Sequence, residues 1–181
     1  GRVITDLKSK GQYDDTLIII TADHGEMLGD RHAWGKMTVY EAAYNTPLIV
    51  KVPNNDAWAG HEVTTPTESI DITPTILDWI GREAPTSMDG RSLLPLLRGA
   101  VPSDWRSATF SELDFGDPVS PTLWQTMLGT NLRDSCLSIL RDERFTLVEF
   151  AADLPPLLFD HKAEGEEKNV AMQAEYASDL A

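Results

Sequence analysis

An α/β fold followed by a small α+β subdomain is the architecture this sequence predicts, and three observations carry it. Residues 16–21 and 47–52 are apolar, β-favouring runs without polar alternation, the pattern of buried strands rather than surface ones. A segment with helix start and stop signals follows, at residues 71–81. Beyond residue 105 the pattern changes to short strand candidates joined by polar links, as in an antiparallel sheet. The division expected is residues 1–104 for the larger α/β part and 105–181 for the subdomain.

Each element has its own local reason. Val3, Ile4 and Leu7 share one face at helical spacing, and Gly11 stops the helix they define. The strand at 16–21 comes next, then a polar and aromatic connection over 26–46, an expected active-site rim holding Lys36, Tyr40 and Glu41. The second strand, 47–52, is closed by Pro53. Residues 54–60 read as a surface loop. Asp71 is placed to cap the next helix, Pro74 falls at its third position, and Gly81 ends it. Ile72, Ile76, Trp79 and Ile80 are its expected buried stripe. A turn-rich stretch over 82–106 surrounds the apolar run 93–97 and reads as the crossing to the subdomain. There, residues 109–113, 135–140 and 145–150 are strand candidates, with 141–144 as a hairpin link and 157–160 as a short edge. Residues 162–181 read as a turn and a weak C-terminal helix.

Composition narrows the function. The 181 residues include 29 acidic and 15 basic side chains, a formal charge of −14. Such a surface disfavours nucleic acid and anionic membranes as partners. It leaves room for a small anionic substrate if the site itself is locally positive. One cysteine excludes an intrachain disulfide and is compatible with a reducing compartment, so the expected location is cytoplasmic. Cys136 reads as a buried thiol in a strand. No apolar run reaches transmembrane length, and no signal peptide is visible.

The chemistry concentrates where the first strand ends, in Thr21-Ala22-Asp23-His24-Gly25-Glu26. Strand-end loops of α/β sheets are where ligands bind. Asp23 can give a divalent metal a carboxylate oxygen and His24 an imidazole nitrogen. Neighbours on a regular strand point to opposite faces, so the two converge only if the strand has ended and the chain turns; Gly25 eases that turn. The competing reading makes Asp23 a helix cap and His24 a satisfied half-buried histidine. Lys36, in Trp34-Gly35-Lys36, can either pair on the surface or neutralise charge on a phosphoryl or sulfuryl oxygen. Glu26 and Asp30 read as loop or cap carboxylates able to support a metal ligand from behind. Arg31 and His32 line the rim. His61, His161 and the carboxylates of 164–167 read as surface groups. A nucleophile elbow, a Gly-rich phosphate loop and zinc-type cysteine pairs are absent.

Several ordered blocks resemble the sulfatase family of the alkaline-phosphatase superfamily. They are Asp14-Asp15-Thr16, Asp23-His24-Gly25-Glu26-Met27-Leu28-Gly29-Asp30, Gly35-Lys36, Pro47-Leu48-Ile49-Val50, residues 69–78 and Asp89-Gly90-Arg91-Ser92-Leu93-Leu94-Pro95. The likeness to the phosphonate monoester hydrolase and phosphodiesterase branch is stronger still. It extends through Asp134-Ser135-Cys136, Asp142-Glu143-Arg144-Phe145 and Leu157-Leu158-Phe159-Asp160. The resemblance implies the C-terminal part of an alkaline-phosphatase-like mixed-sheet sandwich plus a small antiparallel-sheet α+β subdomain. It implies that Asp23 and His24 ligate one divalent metal, with Mn²⁺ expected and Zn²⁺ or Ca²⁺ as alternatives. By the same resemblance Lys36 contacts the transferred group or the nucleophile's oxygen.

The resemblance also implies a hydrolase of phosphonate monoesters and phosphate diesters, acting on small anionic esters and assembling as a homo-oligomer. An arylsulfatase or other sulfuric-ester hydrolase, and a non-catalytic interaction module, are the alternative readings. Two departures matter. Arg31-His32-Ala33 differs from the commoner sulfatase wording of this loop, which disfavours arylsulfatase specificity. Cys136 lies in Cys136-Leu137-Ser138-Ile139-Leu140, without the Pro and Arg of the family's formylglycine context. The formylglycine nucleophile is therefore expected on an N-terminal half outside these residues, and the 181 residues alone are expected to be inactive.

Overall fold

A computed structural model describes every residue except 164, 167 and 181, and of Asp56 it describes the backbone alone. The elements run α1 (Arg2–Ser9), β1 (Ile18–Ile20), α2 (Glu41–Tyr44), β2 (Ile49–Lys51), α3 (Ile72–Trp79), α4 (Leu94–Leu97), β3 (Thr109–Asp114), α5 (Leu123–Leu128), β4 (Cys136–Arg141), β5 (Phe145–Phe150) and β6 (Leu157–Asp160). Short 3₁₀ turns lie at Asp30–His32, Asp56–Trp58, Ser69–Asp71 and Ala174–Tyr176. The chain divides into two compact units. One comprises residues 1–36, 44–65 and 69–103; the other comprises 37–43, 66–68 and 104–181.

In the first unit β1 and β2 pair antiparallel, with Ile19 opposite Val50. Lys51 fastens the approach to β1: its ammonium donates to the carbonyls of Tyr13 and Asp14 and lies over the Tyr13 ring. The expectation of a fully buried strand does not hold within the described chain. Ile18 and Ile19 are half-buried, and Ile20 and Ile49 are exposed. A strand apolar on both faces needs a covering layer on each, and the described residues do not supply both.

α3 follows its predicted span, and Gly81 ends it as expected. With φ at 71°, Gly81 lets its own N–H reach Asp78 O and the Arg82 N–H reach Leu77 O, which satisfies carbonyls left open by the last turn. The buried stripe differs from the expected one. Ile76 and Ile80 are exposed, while Asp71, Pro74 and Thr75 face inward. The cause is polar. The Thr75 hydroxyl donates to Asp71 O at 2.6 Å and accepts the Leu93 N–H at 2.8 Å. Asp71 caps no turn of α3 with its side chain; its Oδ1 accepts the Arg91 N–H instead. Gly90 completes this joint, since a Cβ there would lie 2.0 Å from Ile70 O.

The second unit is built on an antiparallel sheet in the order β3-β4-β5-β6. Leu137, Ile139, Thr146 and Val148 are buried in strict alternation on β4 and β5, and Ile139 is opposite Val148. On β6, Leu158 packs with Val170, Ala171 and Tyr176, backed by Phe145 and Leu147. The expected C-terminal helix is replaced by irregular chain and one 3₁₀ turn. Residues 169 and 170 spend hydrogen bonds on β6 instead: Val170 N–H donates to Leu158 O, and Asn169 Oδ1 accepts the Leu158 N–H. α5 was not foreseen, although Thr122-x-x-Gln125 signals it. The two residues form a capping box, each side chain accepting the other's backbone N–H.

Candidate functional site

β1 ends at Ile20, three residues before Asp23, so the strand no longer forces Asp23 and His24 to opposite faces. The His24 N–H donates to Asp23 Oδ1 at 3.0 Å, which turns the second oxygen, Oδ2, toward the imidazole. Nδ1 of His24 lies 2.6 Å from Gly25 O. A carbonyl only accepts, so Nδ1 carries a proton, and in the neutral imidazole Nε2 is left with the lone pair. Nε2 in turn lies 3.5 Å from Asp23 Oδ2. In that neutral form the two atoms are both acceptors and can share a cation. A backbone carbonyl holding the far nitrogen is also the usual way a metal-ligating histidine is oriented. The Asp23 carboxylate is 86% exposed and the His24 ring 35%, so both are open on one side.

Two ligands do not complete a metal centre, and the described residues hold no group of three or more His, Cys, Asp or Glu able to do so. The donor set nevertheless fits a divalent ion that takes oxygen and imidazole ligands, with the remaining positions open to groups outside these residues.

Lys36 lies at the end of a closed loop. Met27 N–H donates to Gly35 O at 3.0 Å, and Gly29 N–H to Ala33 O at 2.9 Å, so the two arms pair as they return. The tip runs through left-handed backbone at Leu28, Gly29, Arg31 and His32, with φ of 51°, 94°, 49° and 60°. For non-glycine residues this costs of order 1–3 kcal/mol each and gathers at functional sites. The buried Met27 anchors the loop from beneath, and Trp34 lies against Gly29. The turn expected at Gly25 is not found there: the chain bends at Asp23 and turns tightly at 28–35 instead.

The remaining candidates fall elsewhere. His61 is exposed, as expected. His161 is half-buried rather than on the surface; its Nε2 lies 2.8 Å from Thr146 Oγ1, and burial, then the Arg141 charge, push its pKa down. Glu164 and Glu167 lie outside the described residues, but Glu166 is no solvated carboxylate: it accepts the Glu41 N–H and faces Arg141. Arg141 also pairs with Glu41 at 2.9 Å. These groups satisfy one another and tie residues 37–43 to the second unit. Cys136 is half-buried at the start of β4 rather than fully enclosed.

Comparison with known proteins bears on this geometry. A family model described as Sulfatase matches residues 1–82. The chain is 45% identical to the multifunctional alkaline phosphatase superfamily protein PehA of Trinickia caryophylli, over 98% of this chain and 34% of that protein. It is 31% identical to an N-acetylglucosamine-6-O-sulfatase of Bacteroides thetaiotaomicron, over 98% of this chain and 30% of that protein. The phosphonate monoester hydrolase SpPMH from Silicibacter pomeroyi superimposes with a TM-score of 0.93 and 63% identity, over 99% of this chain and 35% of that one. The chain therefore spans about a third of the length of the relatives it matches.

Proposed function

Because this chain belongs to the sulfatase family of the alkaline phosphatase superfamily, we propose that its intact protein is a metal-dependent hydrolase of phosphonate monoesters and phosphate diesters. The observation that carries this reading is the convergence of Asp23 Oδ2 and His24 Nε2, with the imidazole proton already committed to Gly25 O. In this reading Asp23 and His24 hold a divalent metal, Mn²⁺ first, with Zn²⁺ or Ca²⁺ as the alternatives. The bound ion supplies Lewis-acid polarisation of the transferred group and lowers the barrier to nucleophilic attack.

Lys36 places a compact ammonium, with three donors, where negative charge builds on the non-bridging oxygens as the ester bond breaks. Asp23 has a second task, since its Oδ1 holds the His24 N–H and so sets where the imidazole stands. The nucleophile, a formylglycine in this reading, and the other metal ligands belong to a portion N-terminal to these residues. Cys136 does not supply it, because it lacks the required Pro and Arg context.

The test is paired kinetics of the intact protein on a phosphonate monoester, a phosphate diester and an aryl sulfate. The phosphorus esters are expected to be turned over with the higher kcat/KM. Asp23→Ala and Lys36→Ala each lower it by about 100-fold or more, and residues 1–181 alone show no turnover. The 31% identity to a sugar 6-O-sulfatase supports a second reading, hydrolysis of sulfate esters. An aryl or sugar sulfate hydrolysed faster than both phosphorus esters would select it.

A further inference from the structure

One hydrogen bond in the loop between the two halves of the site has no role in the mechanism above. Gly35 is gripped on both of its backbone groups by a single dipeptide. Its carbonyl accepts the Met27 N–H at 3.0 Å, and its own N–H donates to Glu26 Oε1 at 2.5 Å. The first is ordinary pairing between the two arms of the loop. The second is a side chain reaching across nine residues to the position directly before Lys36.

Glu26 stands two residues after His24, so one short piece of backbone carries the candidate ligands and the group that holds the start of the lysine arm. Gly35 has φ at 82° and open space where a Cβ would be. Backbone conformation, not crowding, calls for glycine there, and such a residue needs external fixing because it fixes itself poorly. The interior bonds Asp30 N–H to Met27 O, His32 N–H to Gly29 O and Ala33 N–H to Asp30 O stiffen the tip of the loop but do not touch its exit. At the exit, the Glu26 carboxylate is the side chain that holds Gly35.

We propose that Glu26 is a positioning residue: by accepting the Gly35 N–H it fixes the origin of Lys36 relative to Asp23 and His24. A lysine arm has four rotatable bonds, and a displaced Cα moves every orientation of its ammonium. Misplacing a catalytic group by about 1 Å can cost on the order of 100-fold in rate. The assignment rests on the proposed role of Lys36, and the test separates the two. Glu26 is exposed in the described chain, so its replacement removes no core packing.

The experiment uses the intact protein and its E26A, E26Q, E26D, K36A and E26A/K36A variants. Kinetics on a 4-nitrophenyl phosphonate monoester, bound divalent metal, and hydrogen–deuterium exchange over residues 27–36 are measured for each. E26A is expected to lose roughly 10- to 100-fold in kcat, to keep its metal content, and to exchange faster at Gly35. E26Q recovers most of that loss, because an amide oxygen still accepts the N–H; E26D, one methylene short, does not. In the K36A background E26A adds less than about twofold, since two changes acting through one group are not additive. Full multiplicativity of the two losses, an E26Q variant as impaired as E26A, or lost metal in E26A overturns the positioning role. Unchanged exchange at Gly35 in E26A overturns the clamp itself. A K36A protein with parental kinetics instead overturns the role of Lys36, whatever the exchange data show.

Discussion

A carboxylate oxygen and an imidazole nitrogen 3.5 Å apart are held together by a shared positive charge, a proton or a metal ion. That juxtaposition was readable in the sequence as two adjacent ligand types at a strand end, because the residues are neighbours and only the end of β1 was needed to bring them together. The role proposed for Lys36 rests on the Gly35-Lys36 block alone. The Glu26–Gly35 contact was not readable in the sequence. It depends on loop closure through left-handed backbone at Leu28, Arg31 and His32, a conformation that side-chain type does not announce for such residues. A buried carboxylate in the second unit gives a pH test at this scale. Asp160 Oδ2 accepts from Nε and Nη2 of Arg144 and from the Tyr176 hydroxyl, and the Arg144 hydrogen bonds hold its pKa below the usual carboxylate value. A carboxylate depressed on folding contributes stability that is complete above its unfolded pKa and is lost as pH falls through the folded one. Urea unfolding of the intact protein is expected to show a midpoint that drops as pH falls from about 5 toward 2. Asp160→Asn should lower the midpoint at neutral pH and flatten that dependence; an equally steep decline in the variant contradicts the assignment.

At the scale of elements, the sequence placed the ends of α1 and α3 well, because a glycine just past the last turn has a local cause. It placed the buried face of α3 poorly. Hydrophobic periodicity says which face could be buried, but the choice was made by the 90–93 segment through Thr75 and Asp71. Thr75→Val keeps the shape and leaves the Leu93 N–H without its acceptor. It is expected to cost about 1–3 kcal/mol by urea unfolding, whereas Ile76→Ala, on the exposed face, should cost less. The opposite ranking would restore the apolar stripe. α5 offers a cleaner case. Thr122→Ala removes the cap and is expected to cost about 1 kcal/mol, with faster hydrogen exchange confined to the first turn of Leu123–Leu128. The C-terminal helix failed for a different reason. Alanine content favours a helix only where no partner competes, and here β6 holds the Val170 backbone and the Asn169 side chain.

At the scale of the whole molecule, the four-stranded sheet was legible as strands but not as an order, since pairing partners follow from packing rather than from any one strand's composition. The acidic surface, the strand-end pair and the family resemblance were mutually consistent, and the comparisons place the chain over about a third of its relatives' length. The exposed Ile20 and Ile49 of the two-stranded sheet agree with strands whose composition anticipates further cover. None of the described helices is long and apolar enough to cross a membrane. The central claim, that Asp23 and His24 are metal ligands, is tested most directly by anomalous diffraction from crystals of the active intact protein, collected on both sides of the absorption edge of the metal found by elemental analysis. The account predicts a single peak within about 2.0–2.6 Å of both Asp23 Oδ2 and His24 Nε2, absent in Asp23→Ala. A fully active protein with no peak at this pair, or with its metal bound elsewhere, would contradict it.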